Sequence, residues 1–383
     1  MKFVISSTEL LKHLQLIGRV ISSKNTLPIL DNFLFDLSGH ELHITASDLE
    51  TTLVTTIDLE NVTDEGKVAV PARILMDMLK EFPEQPLTFH INMETLGIEL
   101  NSENGKYNIV GQNPDDFPQV PQIKSEQETR LQLQSGMIYQ GIEKTIFATA
   151  EDELRPVMNG IYVELTPENI TFVATDAHKL VRYRRKDVES GEESSFIFPK
   201  KPASLIRNIL SKEESQVELS FDDKNVEFVL PKYRMISRLT EGNYPDYDSV
   251  IPSDNPFKLT IDRLDFYNTI KRVAVFSNQA SNLIKLSLSG NQLTVSAQDL
   301  DFSVSGRETL NCQYEGDNMD IGFKSSFLLE ILSNLNAQEV LVELSDPSRA
   351  GLLYPLEKDN EDEDVLMLLM PMMVESDTEE EAV

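Results

Sequence analysis

The stretch Asn169-Ile170-Thr171-Phe172-Val173-Ala174-Thr175-Asp176-Ala177-His178-Lys179-Leu180 decides how this chain is read. Ile170, Phe172 and Ala174 alternate with Thr171, Val173 and Thr175. That is the period of a half-buried strand, and Asp176 follows it as a turn residue. The phrase returns as Leu42-His43-Ile44-Thr45-Ala46-Ser47-Asp48-Leu49 and as Leu293-Thr294-Val295-Ser296-Ala297-Gln298-Asp299-Leu300. Its aspartates stand 128 and 123 residues apart. A strand and turn repeated at that interval predict three similar domains in tandem. A prior of about 150 residues per domain allows two or three over this length.

Outward from the phrase, each repeat shows the same plan of helix, strands, helix, strands. Ser6-x-x-Glu9 has the form of a capping box, and Leu10, Leu14, Ile17 and Ile21 recur at helical spacing behind it. Pro71 reads as the first-turn proline of a second helix, with Ile74, Leu75, Met78 and Leu79 inward and Arg73, Asp77 and Lys80 outward. The corresponding helices are expected at Gly136–Phe147 and Lys200–Leu210, then at Asp262–Phe276 and Lys324–Leu335. Asp116-Phe117-Pro118 and Tyr244-Pro245-Asp246-Tyr247 close the first and second units. The resulting bounds are 1–122, 128–252 and 255–374. The run Glu357–Asp364 reads as an acidic surface loop, and 375–383 as an acidic tail without apolar periodicity, expected to be disordered.

Composition excludes several classes. No apolar run approaches the roughly 18 residues a membrane helix needs, and the N-terminal apolar run is too short for a signal peptide. One cysteine, Cys312, makes no internal disulfide, which suits a reducing cytosol. The net charge of −30 argues against nucleic acid when taken whole, because phosphate is bound by Lys and Arg. Its distribution argues the other way. The six predicted helices carry twelve basic and six acidic residues, so they alone are net positive. Helices lining a common surface that faces an anion, with acidic strands outside, would account for this segregation. Quasi-identical repeats also invite a closed, symmetrical assembly.

An enzyme reading takes Asp176 and His178 as an acid–base pair. His178 has no counterpart in the other repeats, where Glu50 and Asp301 stand instead, and there is no phosphate loop, nucleophile elbow or metal-ligand cluster. The repeated Asp is better explained as a turn residue bonding its own backbone. A repeat scaffold that binds proteins without DNA leaves the positive helices unexplained.

Thr26-Leu27-Pro28-Ile29-Leu30, Arg155-x-x-x-Asn159-Gly160, Thr175 to Leu180, Tyr244 to Tyr247 and Met370-Pro371-Met372 occur in order and in register with the repeat. Together they resemble the beta subunits of bacterial DNA polymerase III, the replicative sliding clamps, over Met1 to about Val374. The resemblance implies an α+β DNA clamp fold. Each chain would hold three domains, each with two helices packed on antiparallel sheets, and close into a ring as a head-to-tail homodimer. It implies a cytoplasmic, non-catalytic processivity factor without cofactor or metal, encircling double-stranded DNA independently of sequence. Matching DNA-contacting positions are Lys24, Arg73, Lys106 and Arg155, and the helix charges add Lys200 and Lys201. Asp152 stands where the family carries an amide.

The resemblance also implies an apolar pocket that takes short linear motifs from the polymerase catalytic subunit, the clamp loader and repair proteins. Its positions match Met158, Thr175, Ala177, His178, Lys179, Leu180, Pro245, Val250, Leu368, Met370, Pro371 and Met372. Methionines suit such a surface because they repack around different partners. Ser249 replaces an expected basic residue, and Met373-Val374 with the acidic tail replaces a short basic end. Tyr107, Ile109, Val275 and Phe276 match the dimer contact.

Overall fold

Six α-helices alternate with antiparallel strands in the computed structural model, which describes residues 1–123, 128–188, 191, 193–358 and 360–374. The expected acidic tail, 375–383, lies outside the described residues. The helices are α1 (Ser7–Ile17), α2 (Ala72–Lys80), α3 (Ser135–Thr145), α4 (Lys200–Leu210), α5 (Arg263–Val273) and α6 (Ser325–Asn334). α1, α3 and α5 each run on into a short 3-10 turn, so the longer predicted spans end in a tightened last turn.

Side chains set these starts. Ser6 caps α1 by accepting the Glu9 N–H at 3.5 Å, and Asp262 caps α5 by accepting the Asp265 N–H at 2.9 Å. In α2 the sequence expectation needs correcting. Pro71 is the cap rather than a first-turn residue, and the buried face is Ala72, Leu75 and Leu79. Ile74, expected inward, is 56% exposed. Residues 72, 75 and 79 follow the three-to-four spacing of one helical stripe, and position 74 is rotated about 100° off it.

The described residues pack as two compact units. One comprises Met1–Gln140 with Lys201–Thr240, the other Gly141–Lys200 with the chain from Glu241 onward. The first unit holds a five-stranded sheet whose edge is Lys106–Val110, and an eight-stranded sheet. In the eight-stranded sheet, Tyr233–Arg238 of the middle repeat pairs antiparallel with Thr51–Asp58 of the first, Tyr233 opposite Thr55 and Ser237 opposite Thr51. The Thr51 and Ser237 hydroxyls bond at 3.1 Å inside that seam. The second unit holds a nine-stranded sheet and a four-stranded sheet whose edge is Val304–Asn311. Here Lys179–Arg185 of the middle repeat pairs with Glu363–Leu369 of the third, Leu180 opposite Leu368. The strands of the middle repeat are thus divided between two sheets, and the compact units cut through it.

Each unit has its own apolar interior. In the first, Leu10, Leu14 and Ile17 of α1 are completely buried, and Phe3 stacks on Phe89 with ring centroids 4.8 Å apart. In the second, Gly141 of α3 lies against Phe172, so close that a Cβ there would sit 2.5 Å from the ring. Each fully buried Leu, Ile or Phe contributes about 1.5–3 kcal/mol relative to exposure.

The three copies of the opening phrase form strands Glu41–Ser47, Asn169–Thr175 and Gln292–Asp299. Their aspartates do the same local work. Asp48 Oδ1 accepts the Thr51 and Glu50 N–H groups at 2.7 and 3.1 Å, and Asp176 Oδ1 accepts those of His178 and Lys179 at 2.9 Å each. Asp299 Oδ1 accepts the Asp301 N–H at 3.0 Å. The expected acidic loop Glu357–Asp364 is corrected at its end, where Glu363 and Asp364 open a strand. Glu363 is buried because Lys144 reaches it at 3.3 Å and the Tyr183 hydroxyl donates to it at 2.8 Å, while Asp364 pairs with Arg182 at 3.1 Å.

Candidate functional site

The turn after the middle copy of the phrase carries the chemistry that the other copies lack. Ala177 sits in left-handed backbone at φ 73°, matching Leu49 at φ 78° in the first repeat. The Thr175 hydroxyl donates to the Lys179 carbonyl at 2.8 Å and accepts the Ala177 N–H at 3.1 Å, which closes the turn. Lys179 is buried. Its ammonium donates to Asp176 Oδ2 at 2.7 Å, pairs with Glu330 of α6 at 3.1 Å, and lies 4.5 Å from the Phe327 ring centroid. Burial would raise the Asp176 carboxyl, but that ammonium and the N–H groups of Lys179 and His178 outweigh it and hold the carboxyl below its usual range. His178 remains exposed. It lies 5.7 Å from the Phe327 ring, and its carbonyl accepts the Met370 N–H at 2.8 Å.

Behind this turn lies an apolar cluster of Val173, Leu180, Tyr247, Leu352, Leu366 and Leu368, with Tyr162, Tyr244, Ile251 and Tyr354 against it. Tyr162 and Tyr244 stack at 4.8 Å, nearly parallel, and the Tyr247 hydroxyl donates to Glu164 at 2.6 Å. Burial and that carboxylate push the Tyr247 phenol up. Leu180 and Leu368 are therefore floor residues, opposite each other in neighbouring strands. Val250 and Met370 are exposed, at 55% and 42%, while Met158, Pro245, Pro371 and Met372 are half-buried. The Met372 N–H donates to the Gly322 carbonyl at 2.8 Å, fixing the end of the chain's methionine run. Ser249 spends its hydroxyl on the Asp246 carbonyl at 2.8 Å. Arg182 brings a cation to that rim, 3.6 Å from Asp248.

Sequence reasoning missed the aromatic part of this floor. Tyr244 and Tyr247 were in view as part of a motif, and Tyr162 follows the Arg155-to-Gly160 motif by two residues. Tyr354 carried no signal, because only sheet pairing brings it in.

The six cations expected to meet DNA are distributed over both units. In the first unit, Lys24 has no ion pair among the described residues, and Arg73 is 94% exposed with Asp77 at 4.0 Å. Lys106 pairs with Glu99 at 2.6 Å, and Lys201 donates to Asp48 Oδ2 at 2.5 Å. In the second unit, Lys200 donates to Glu151 at 2.7 Å and Arg155 to Asp152 at 2.8 Å. The Lys200 ammonium holds the Glu151 carboxyl below its usual range, and the Arg155 guanidinium does the same for Asp152.

Of the residues expected at the dimer contact, Tyr107 and Ile109 lie on a sheet edge, and Val275 and Phe276 in the 3-10 turn after α5. Tyr107 is 39% exposed in the edge strand Lys106–Val110, beside half-buried Ile109 and Val110 at 71%. Val275 is 77% exposed, and the Phe276 ring packs where Gly306 leaves room in the other edge strand. Leu300 and Phe302, both 75% exposed, stand beside it. Unpaired strand edges carrying apolar side chains are templates for pairing with another chain.

Among the described residues there is no cluster of His, Cys, Asp and Glu able to hold a metal, and no helix is long and apolar enough to cross a membrane.

Comparison with known proteins agrees with this architecture throughout. Models of the DNA polymerase III beta subunit match in chain order: the N-terminal domain over residues 1–121, the central domain over 132–246 and the C-terminal domain over 248–373. The beta sliding clamp of Pseudomonas putida is 29% identical over 373 residues, covering 97% of this chain and all of that protein. Among solved structures, the DnaN sliding clamp of Pseudomonas aeruginosa bound to griselimycin superposes with a TM-score of 0.92 at 27% identity, over 98% of this chain and all of that one. The griselimycin-bound clamp of Bartonella birtlesii gives 0.90 at 26%, with the same coverage. With three family domains matched in sequence over most of its residues, the chain belongs to the DNA polymerase III beta subunit family, the beta sliding clamps.

Proposed function

We infer that this chain acts as a replication processivity factor, a clamp that encircles duplex DNA and tethers the replicative polymerase. The observation that carries this is the run of three clamp domains in order, over residues 1–121, 132–246 and 248–373. In this reading the domains are 1–122, 128–252 and 255–374, and the protein works in the cytoplasm without catalysis of its own. DNA is held by topology, with weak phosphate contacts from Lys24, Arg73, Lys106, Arg155, Lys200 and Lys201. Contacts of that kind permit sliding, where base contacts would fix a register.

Two copies close the ring head to tail. The edge strand Lys106–Val110 of one copy meets the edge strand Val304–Asn311 of the other, with Tyr107, Ile109, Val275 and Phe276 between them. Such a heterologous contact closes when its rotation does. The exposed apolar residues at both edges support this pairing. Short linear motifs of the polymerase, the loader and repair proteins dock at the tyrosine-rich cluster beside Ala177 and His178. Met370 and Val250 are exposed there for contact, and a few such anchors supply most of the affinity.

The test is retention on DNA of different topology. The protein, assembled on circular duplex, stays bound during gel filtration and is lost after the circle is cut once. Equal retention on circular and linear DNA would identify a gripping protein and overturn the clamp reading.

A further inference from the structure

We propose that the loop Glu151–Arg155 is a built-in phosphate mimic, whose carboxylates occupy Lys200 and Arg155 until a DNA backbone displaces them. The proposal rests on the clamp reading above and deepens it. Of the six cations assigned to DNA, four are already neutralised by carboxylates of their own unit. Lys200 is held by Glu151 at 2.7 Å, Arg155 by Asp152 at 2.8 Å, Lys106 by Glu99 at 2.6 Å and Lys201 by Asp48. Only Lys24 and Arg73 stand without a close partner, Arg73 having its nearest carboxylate at 4.0 Å.

The loop is constructed for this contact. The Asn159 side chain grips the Asp152 backbone from both sides: Oδ1 accepts the Asp152 N–H and Nδ2 donates to the Asp152 carbonyl, each at 3.0 Å. Asp152 Oδ1 then accepts the Leu154 N–H at 2.8 Å, which leaves Oδ2 for the guanidinium. Asp48 is held likewise, its Oδ1 on two backbone N–H groups and its Oδ2 on Lys201. One oxygen is anchored to backbone and the other offered to a cation. Glu153, next in the same loop, has no ion pair among the described residues.

A carboxylate and a phosphate oxygen make the same kind of charge-assisted bond to Lys and Arg. Exposed ion pairs contribute little net stability, so exchanging one anion for the other costs little in either direction. The duplex therefore meets cations that bind it only as their own carboxylates let go. Contact stays weak and reversible, and the salt dependence falls short of what six free cations would give. Each phosphate neutralised adds roughly 0.9 to the slope of log affinity against log salt, so the resting protein shows a slope near two contacts, about −2.

The experiment measures binding of the full-length protein to a short fluorescent duplex by anisotropy between 50 and 200 mM salt. The proteins compared are wild type, Glu151→Gln, Asp152→Asn, the double variant and Glu153→Gln. Asn keeps the oxygen that accepts the Leu154 N–H, and the Glu151 side chain is 82% exposed, so neither change disturbs the loop. The expected result is a slope steeper by about 1 for each single variant and about 2 for the double, with up to about fivefold tighter binding per freed cation at low salt. Glu153→Gln makes the same change in net charge and should behave as wild type. The proposal is overturned if Glu153→Gln matches Asp152→Asn, since the effect would then be charge alone. It is equally overturned if wild type and variants bind the duplex with one slope. Absence of duplex binding by every protein overturns instead the assignment of these cations to DNA.

Discussion

The Met370 N–H donates to the His178 carbonyl across 2.8 Å. That single bond ties the turn of the middle copy to the methionines at the end of the described residues. The side chains of the proposed docking site therefore arrive from residues 178 and 370 by sheet pairing, continuing the ladder in which Leu180 faces Leu368.

Replacing Met370 and Met372 together by Ala removes two apolar anchors while leaving their backbone bonds to His178 and Gly322 in place. An apolar anchor of this kind is worth about 1–2 kcal/mol, so with two removed the affinity for a fluorescent clamp-binding peptide should fall roughly thirty- to a thousandfold. Sedimentation should still show the dimer. Unchanged peptide affinity would remove the methionines from the site.

His13 gives the protein a predictable weakness on the acid side. Its Nδ1 bonds the Thr55 hydroxyl at 2.6 Å, and that hydroxyl donates to the Lys232 carbonyl at 3.2 Å, so Nδ1 carries the proton of a neutral ring. Burial first, then the Lys232 and Lys12 charges, lower its pKa from 6.5 to about 4. The unfolded chain binds this proton first. Stability from neutral His13 is therefore complete above pH 6.5 and is lost progressively as the pH falls from there to about 4, by up to about 3 kcal/mol. Urea midpoints from pH 8 to pH 5 should fall more steeply for wild type than for His13→Gln. Parallel curves would count against the assignment.

The dimer contact is tested without harming the fold, because its residues are exposed in one copy. Val275→Asp combined with Tyr107→Asp places desolvated charges in both halves of the proposed contact, where an unpaired buried charge is strongly unfavourable. Sedimentation at micromolar concentration should show a dimer for wild type and a monomer for the variant, with the far-UV spectrum unchanged. A persisting dimer would move the interface elsewhere.

Much of the fold was legible because local rules decide it. Ser6 and Asp262 announce their helices by capping, α4 has the limits its periodicity suggests, and the repeated Asp accepts backbone N–H groups in all three copies, although the third turn runs two residues longer. Ile74 was misplaced because six apolar residues in a nine-residue helix fit two adjacent stripes. Glu363 and Asp364 looked like loop because their cations, Lys144 and Arg182, are about two hundred residues away in sequence. Distance hid the cation pairs too. A charge count records that α4 is positive, but not that Glu151 folds back onto Lys200. Of the docking cluster, the turn residues and methionines were visible as motifs, whereas Tyr354 joins through strand order alone.

The division of the middle repeat between two sheets bears on how such a chain can be rearranged. Tandem repeats suggest modules that recombination could delete or exchange at their boundaries. Here excision of the middle copy would strip a partner from Thr51–Asp58 on one side and from Glu363–Leu369 on the other, exposing two raw strand edges in one event. The repeat that looks most like a spacer is the one the chain cannot lose.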